Sequence, residues 1–222
     1  MMKQSILAVG LTVVLTLGAS VPAWAGVDAA EGYTAEAITI CQDLPTMLTD
    51  EQLSELAGIA PDIADTRSTM TMPGRRITPT ELTAWSYEYW ALGGINAFEL
   101  EVIRLINMER VAVGLHPLAI SPQLSMAARF HSQEMADLRF FSHRSPHHGR
   151  GIYRAEMFGH ENIQEHVWGV RENIFSGTRS PESVAQAWMN SPGHRAAILE
   201  SEYLTIGIGA VQGGGTTAKF GA

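Results

Sequence analysis

Two histidines and a glutamate, widely separated along the chain, are the residues best suited to do chemistry together. They are His143, Glu172 and His194. His143 stands in Phe140-Phe141-Ser142-His143, and Glu172 precedes Asn173 and Ile174. His194 closes Trp188-Met189-Asn190-Ser191-Pro192-Gly193-His194. Each stretch is rich in turn-forming residues. A fold that gathers them makes a polar pocket, with Asn173 and Ser191 beside it. Two imidazoles and one carboxylate are the donor set of an open zinc site, with a position left for water. A metal held by His143 and His194 would lower the pKa of that water, with Glu172 as general base. The same groups equally suit a ligand-contacting cluster or a structural tie between loops. Asn173 is expected to brace its loop through side-chain hydrogen bonds to backbone.

The elements that must position these groups can be read from spacing. Phe98, Val102, Leu105 and Ile106 make one helical stripe, closed by Gly114 and Pro117. Ser121-Pro122 caps a second helix, with Leu124, Ala127, Ala128, His131, Met135 and Leu138 on its inner face. His131 therefore reads as a core histidine bonded to backbone. His143 follows at the end of that helix. Residues 144–171 read as loop, and His147, His148, His160 and His166 read as exposed loop residues able to supplement a metal site. Ser180-Pro181-Glu182 opens a third helix with Val184, Ala187 and Trp188 inside, and Ser191-Pro192 starts a short one through Leu199. His194 falls in its first turn, where the helix dipole keeps imidazole neutral. The end is β. Leu204, Ile206, Ile208 and Ala210 alternate with Thr205, Gly207 and Gly209, which predicts a strand with one face buried. Gly213-Gly214-Gly215 turns the chain into a last strand, Thr216 to Phe220.

The N-terminus reads as an export signal. Lys3, the apolar run Ile6 to Leu17 and Ala23-Trp24-Ala25 match a secretory leader cleaved after Ala25. The apolar run is short for a membrane span, so the expected product is exported, extracellular or periplasmic, and not membrane-spanning. The chain carries 15 Lys and Arg against 23 Asp and Glu, a net charge of −8, which becomes −9 once Lys3 leaves with the leader. An acidic surface excludes nucleic acid as a partner. Cys41 is the single cysteine, so no disulfide can form within the chain, and it reads as a small buried hydrophobe. Residues 26–90 read as an N-terminal extension with a helix near 49–58, a Pro- and Gly-containing linker from Pro61 to Thr80, and an aromatic cluster from Trp85 to Trp90. That cluster is expected to pack the extension onto the main domain.

The ordered set of Phe141-Ser142-His143, Glu172-Asn173-Ile174-Phe175-Ser176-Gly177, Glu182, Trp188 and Asn190-Ser191-Pro192-Gly193-His194 resembles the CAP superfamily, in its bacterial branch. That superfamily comprises the cysteine-rich secretory proteins, antigen 5 and pathogenesis-related 1 proteins. The resemblance runs over about residues 91–222. It implies an α+β fold, a three-layer α-β-α sandwich preceded by the small extension. It implies that His143, Glu172 and His194 are pocket residues, with zinc on His143 and His194 as a candidate cofactor. Two departures stand out. Arg171 occupies the place of a usual glycine, and Ser191 the place where many relatives carry a second glutamate. The resemblance allows lipid as a ligand. No Gly-x-Ser-x-Gly elbow and no His-Glu-x-x-His signature is present. The expected function is a secreted, non-enzymatic binding module; the alternative is a metal-dependent hydrolase of peptide or cell-wall material.

Overall fold

The computed structural model describes residues 67–160, 169–177 and 180–222. The expected leader, the helix near 49–58, Cys41 and His166 lie outside the described residues. Among the described residues ten elements follow in order. They are α1 (Pro79–Ala91), α2 (Ala97–Ala112), β1 (Ala119–Ile120), α3 (Pro122–Asp137), α4 (Gly151–Met157), β2 (Arg171–Phe175), α5 (Pro181–Asn190), α6 (Pro192–Ile198), β3 (Thr205–Val211) and β4 (Gly215–Gly221).

The strands form one sheet in the order β1-β3-β4-β2. β3, β4 and β2 are antiparallel neighbours, while β1 joins β3 in parallel. Helices cover both faces, as expected for the α-β-α sandwich. On one face Ile206, Ile208, Ala218 and Phe220 pack with Val102, Ile106, Val184 and Trp188 of α2 and α5. On the other face α3 lies directly on β3. The sequence predicts one buried face for β3, yet both are buried. Gly207 and Gly209 provide the reason. A Cβ on Gly207 would lie 2.2 Å from the Leu124 carbonyl carbon, and one on Gly209 1.9 Å from the Arg129 nitrogen. Glycine here serves close approach of a helix backbone to a strand. Alternation of Ile with Gly therefore marks two kinds of packing, side chains on one face and backbone on the other. Leu204 is 56% exposed and precedes the strand.

Caps set the helix ends much as their residues predict. Ser121 accepts from the Leu124 N–H, and Ser180 forms a reciprocal pair with Ser183. Ser191 differs: its side chain makes no cap bond, and α6 stops at Ile198. Two inner-face assignments shift by a position or two. Ile103 rather than Leu105 is buried on α2, and Ala185 rather than Ala187 on α5.

A buried ion pair joins the layers. Arg129 of α3 bonds Glu99 of α2, and Glu99 Oε1 also accepts the Ala210 N–H at 2.8 Å. The segment 67–91, read as part of the extension, packs on α3 and α4. Trp85 and Tyr89 are buried with Phe130 and Phe158, and Trp85 Nε1 donates to Gln133 Oε1 at 2.9 Å. The aromatic cluster is thus core for this segment.

Candidate functional site

Glu172 lies on β2, a strand that the turn-rich sequence around it conceals. Its cross-strand partner on β4 is Lys219. Period-2 alternation puts both side chains on the α4 face of the sheet. There they meet Arg154 of α4, and the three side chains are almost fully buried. Glu172 Oε2 takes Arg154 Nη2 at 2.7 Å and Lys219 Nζ at 2.5 Å, while Oε1 lies 3.1 Å from His143 Nδ1. Lys219 Nζ also donates to the Gly151 carbonyl at 3.2 Å. Gly151 opens α4, and a Cβ there would sit 2.9 Å from Glu172 Oε2 and 3.0 Å from Lys219 Nζ. The first residue of α4 must be small for the ion pair to close.

Electrostatics fix the charge states. Burial alone would raise the Glu172 pKa, but Lys219, His143, Arg154 and His131 hold it well below the usual carboxylate range. Burial lowers Lys219 to about 8 against the opposing pull of Glu172. Both groups are therefore ionised at neutral pH.

His143 is 55% exposed and stands in the loop after α3, not at a helix end. α3 stops at Asp137, and Arg139 takes φ +54°, which breaks the helix before the phenylalanines. His194 is the third residue of α6 and half-buried. Burial lowers its pKa, and the charge of His143 lowers it further, so the two imidazoles sense one another. Asn173 is buried, and its Nδ2 donates to the His194 carbonyl at 3.1 Å. This is the expected bracing bond, and it reaches from β2 to α6. Ser191 is the half-buried hinge between α5 and α6. Its N–H donates to the Trp188 carbonyl, and its carbonyl accepts the Arg195 N–H. Arg171, in the place of the usual glycine, is an exposed first residue of β2.

A second layer lies behind the site, and sequence reasoning did not find it. His131 is buried, as expected, with Nε2–H donated to the Ser142 carbonyl at 3.0 Å. Its Nδ1 lies 3.3 Å from Glu134 Oε2. Glu134 also takes the Ser145 hydroxyl and His148 Nδ1. His148, expected as an exposed loop residue, is instead buried between Glu134 and the N-terminal segment. His160 is half-buried too, with its pKa lowered first by burial and then by Lys219. Lys219 and Arg154 carried no motif. The one signal for Lys219 was a lysine in an apolar strand that ends the chain.

Glu134 makes acid stability predictable. Burial would raise its pKa, but the neighbouring His131, His148 and Ser145 lower it to about 2. A depressed carboxylate contributes stability that is present above its unfolded pKa and lost as pH falls through the folded one. Glu172 and the lowered His131 act in the same direction. Stability measured by denaturant titration should therefore fall between about pH 4.5 and 2, by about 3 kcal/mol for Glu134. A Glu134→Gln variant should show a shallower fall over that window.

Comparison with known proteins agrees with this architecture. The model of the CAP family, described as the cysteine-rich secretory protein family, matches residues 103–220, more than half of the chain. Uncharacterized protein YkwD of Bacillus subtilis is 42% identical over 124 residues, 56% of this chain and 46% of YkwD. Uncharacterized membrane protein YlbC of the same organism is 33% identical over 111 residues, 50% of this chain and 31% of YlbC. The matched region thus spans less than half the length of either relative. A solved extracellular protein containing an SCP domain, from Bacillus anthracis, superposes with a TM-score of 0.52 at 28% identity. It covers 65% of this chain and 44% of its own. Among the described residues no helix is long and apolar enough to cross a membrane. With the sandwich and this match in agreement, the chain belongs to the cysteine-rich secretory protein family, CAP.

Proposed function

We propose that the chain is an exported, non-enzymatic binding module, acting outside the cell or in its envelope, that presents His143 and His194 to a ligand. The observation that carries this reading is the state of Glu172. Its Oε2 is taken by two buried cations and its Oε1 by His143. A general base must accept a proton near neutral pH. A carboxylate held well below its usual range by Lys219 and Arg154 is a weak one. The same two cations oppose a third positive charge beside Glu172. Among the described residues, no three His, Cys, Asp or Glu side chains converge as a metal-ligand set. The donor set at His143 and His194 therefore fits zinc poorly, and a zinc hydrolase is the less favoured reading. Export rests on the leader pattern at residues 1–25 and on likeness to a relative described as extracellular. Lipid and envelope proteins are the ligand classes to screen.

Elemental analysis tests the order of these readings. The purified mature protein should carry well under one equivalent of zinc, and no more than its His143→Ala/His194→Ala variant. With added ZnCl2 it should not turn over peptide or peptidoglycan. Stoichiometric zinc lost in the double variant, with turnover abolished by Glu172→Gln, would replace the binding module with the hydrolase.

A further inference from the structure

The N-terminal segment meets the domain at His148, whose ring bonds Ile77 and Glu134 rather than His143 or His194. Ile77 is 7% exposed, and its backbone N–H donates to His148 Nε2 at 2.9 Å. A backbone N–H can only donate, so Nε2 must hold a lone pair. The ring proton therefore sits on Nδ1 and is donated to Glu134 Oε1 at 2.7 Å. His148 is itself 5% exposed.

The surroundings of the ring come from every element packed against it. From α3, Glu134 takes the Nδ1 proton, His131 approaches the other Glu134 oxygen, and Phe130 sets its ring edge-on at 5.1 Å. From the loop, Ser145 Oγ accepts the His148 N–H at 2.8 Å, and the His147 ring lies 6.4 Å away. Glu172, with Lys219 and Arg154, lies behind His131. From the N-terminal segment come Ile77 and the exposed Arg76. A cavity of about 580 Å³, lined by Arg76, His147, Tyr153, Glu156 and Met157, reaches His148 and gives protons a route to it.

The two ends of the ring respond oppositely to a second proton. On the Nδ1 side the Glu134 carboxylate stabilises an imidazolium. On the Nε2 side a new N–H would point at the Ile77 N–H, and two donors cannot bond. The amide of Ile77 would be left buried without an acceptor, which costs about as much as a lost hydrogen bond. Carboxylate charge thus draws the proton in, and the docked backbone is what it displaces.

We propose that His148 is an acid-sensitive latch, and that its protonation at Nε2 releases the Ile77 turn from the domain. The release is local. Three further ties of the segment involve no imidazole: Met72 N–H to Asp137 at 2.8 Å, Gln133 to the Met70 carbonyl at 2.7 Å, and Trp85 to Gln133. They hold α1 in place while the seam beside the cavity opens.

Amide hydrogen exchange on the full chain tests the latch, with rates corrected for the intrinsic pH dependence. When the pH is lowered from about 7.5 to about 5, protection at Ile77 should fall by about tenfold or more. Protection at Ile208, inside the sheet, should hold. In His148→Gln the carboxamide oxygen can accept the Ile77 N–H without titrating, so the Ile77 profile should flatten. Unchanged wild-type protection at Ile77 overturns the latch whether or not the variant folds. So does a parallel fall at Ile77 and Ile208, which is global unfolding, or an undiminished fall in His148→Gln.

Discussion

Gly209→Ala should prevent the domain from folding stably, with a loss above ~3 kcal/mol, beyond the ordinary range for overpacking. The added methyl has nowhere to go. It would stand 1.9 Å from the Arg129 nitrogen and 2.3 Å from its Cα, so the obstacle is helix backbone and not a side chain that can turn aside. α3 is also tied to β3 and α2 by polar contacts on this same face. Ser132 Oγ donates to the Gly209 carbonyl at 2.8 Å, and Arg129 is paired with buried Glu99. Moving α3 outward would stretch both ties and drive Ala127 and Phe130, on its other face, into the cluster that holds Trp85. Domains of this size have only about 5–15 kcal/mol to lose. Gly213→Ala is the matched control. Gly213 turns at φ +82°, and a methyl there would meet nothing within 4 Å, so the variant should show only the modest strain of a left-handed alanine. Equal denaturant midpoints for Gly209→Ala and wild type would mean that α3 can back away from β3 at little cost.

The same pair of glycines shows which parts of the fold were legible. Ser121-Pro122 and Ser180-Pro181 announce helix starts because capping is local chemistry, settled within four residues. The stripe Phe98, Val102 and Ile106 is likewise a local periodicity that survives folding. Gly207 and Gly209 are different. Their alternation with isoleucine looks like a half-exposed strand, and only the arrival of α3 explains why they carry no side chain. β2 was hidden for a related reason. Arg171-Glu172-Asn173 is polar, and its strand character comes from pairing with β4.

The candidate site divides along the same line. His143, Glu172, Asn173 and His194 are legible because they stand in motifs of fixed order. The groups that decide what Glu172 can do are not. Lys219 reaches it through strand register and Arg154 through the placement of α4, contacts spanning 47 and 18 residues. His148 reads as one of several loop histidines until its partners, Ile77 and Glu134, are seen on either side. Long-range pairing, not residue type, carries this information.

Glu172→Gln should cost ~3–5 kcal/mol, the range for removing one partner of a buried pair. The carboxamide keeps the shape but not the charge. Lys219 and Arg154, both fully buried, would then face one another with Glu134 as the nearest remaining counter-charge. Arg154 retains bonds to the Gly149 and His143 carbonyls, at 2.6 Å and 3.1 Å, so Lys219 is the group left most exposed to the loss. Its pKa, already lowered to about 8 by burial, should fall further, and the variant should gain stability as pH rises through that value. Adding Lys219→Met should recover much of the loss, because the unpaired charge goes with it. Chemical denaturation of the two single variants and the double supplies the cycle. A large coupling energy identifies Glu172 as the anchor of the sheet against α4. A cost below about 1 kcal/mol for Glu172→Gln, the level of a surface pair, would mean that its carboxylate is solvated and free to act as a base.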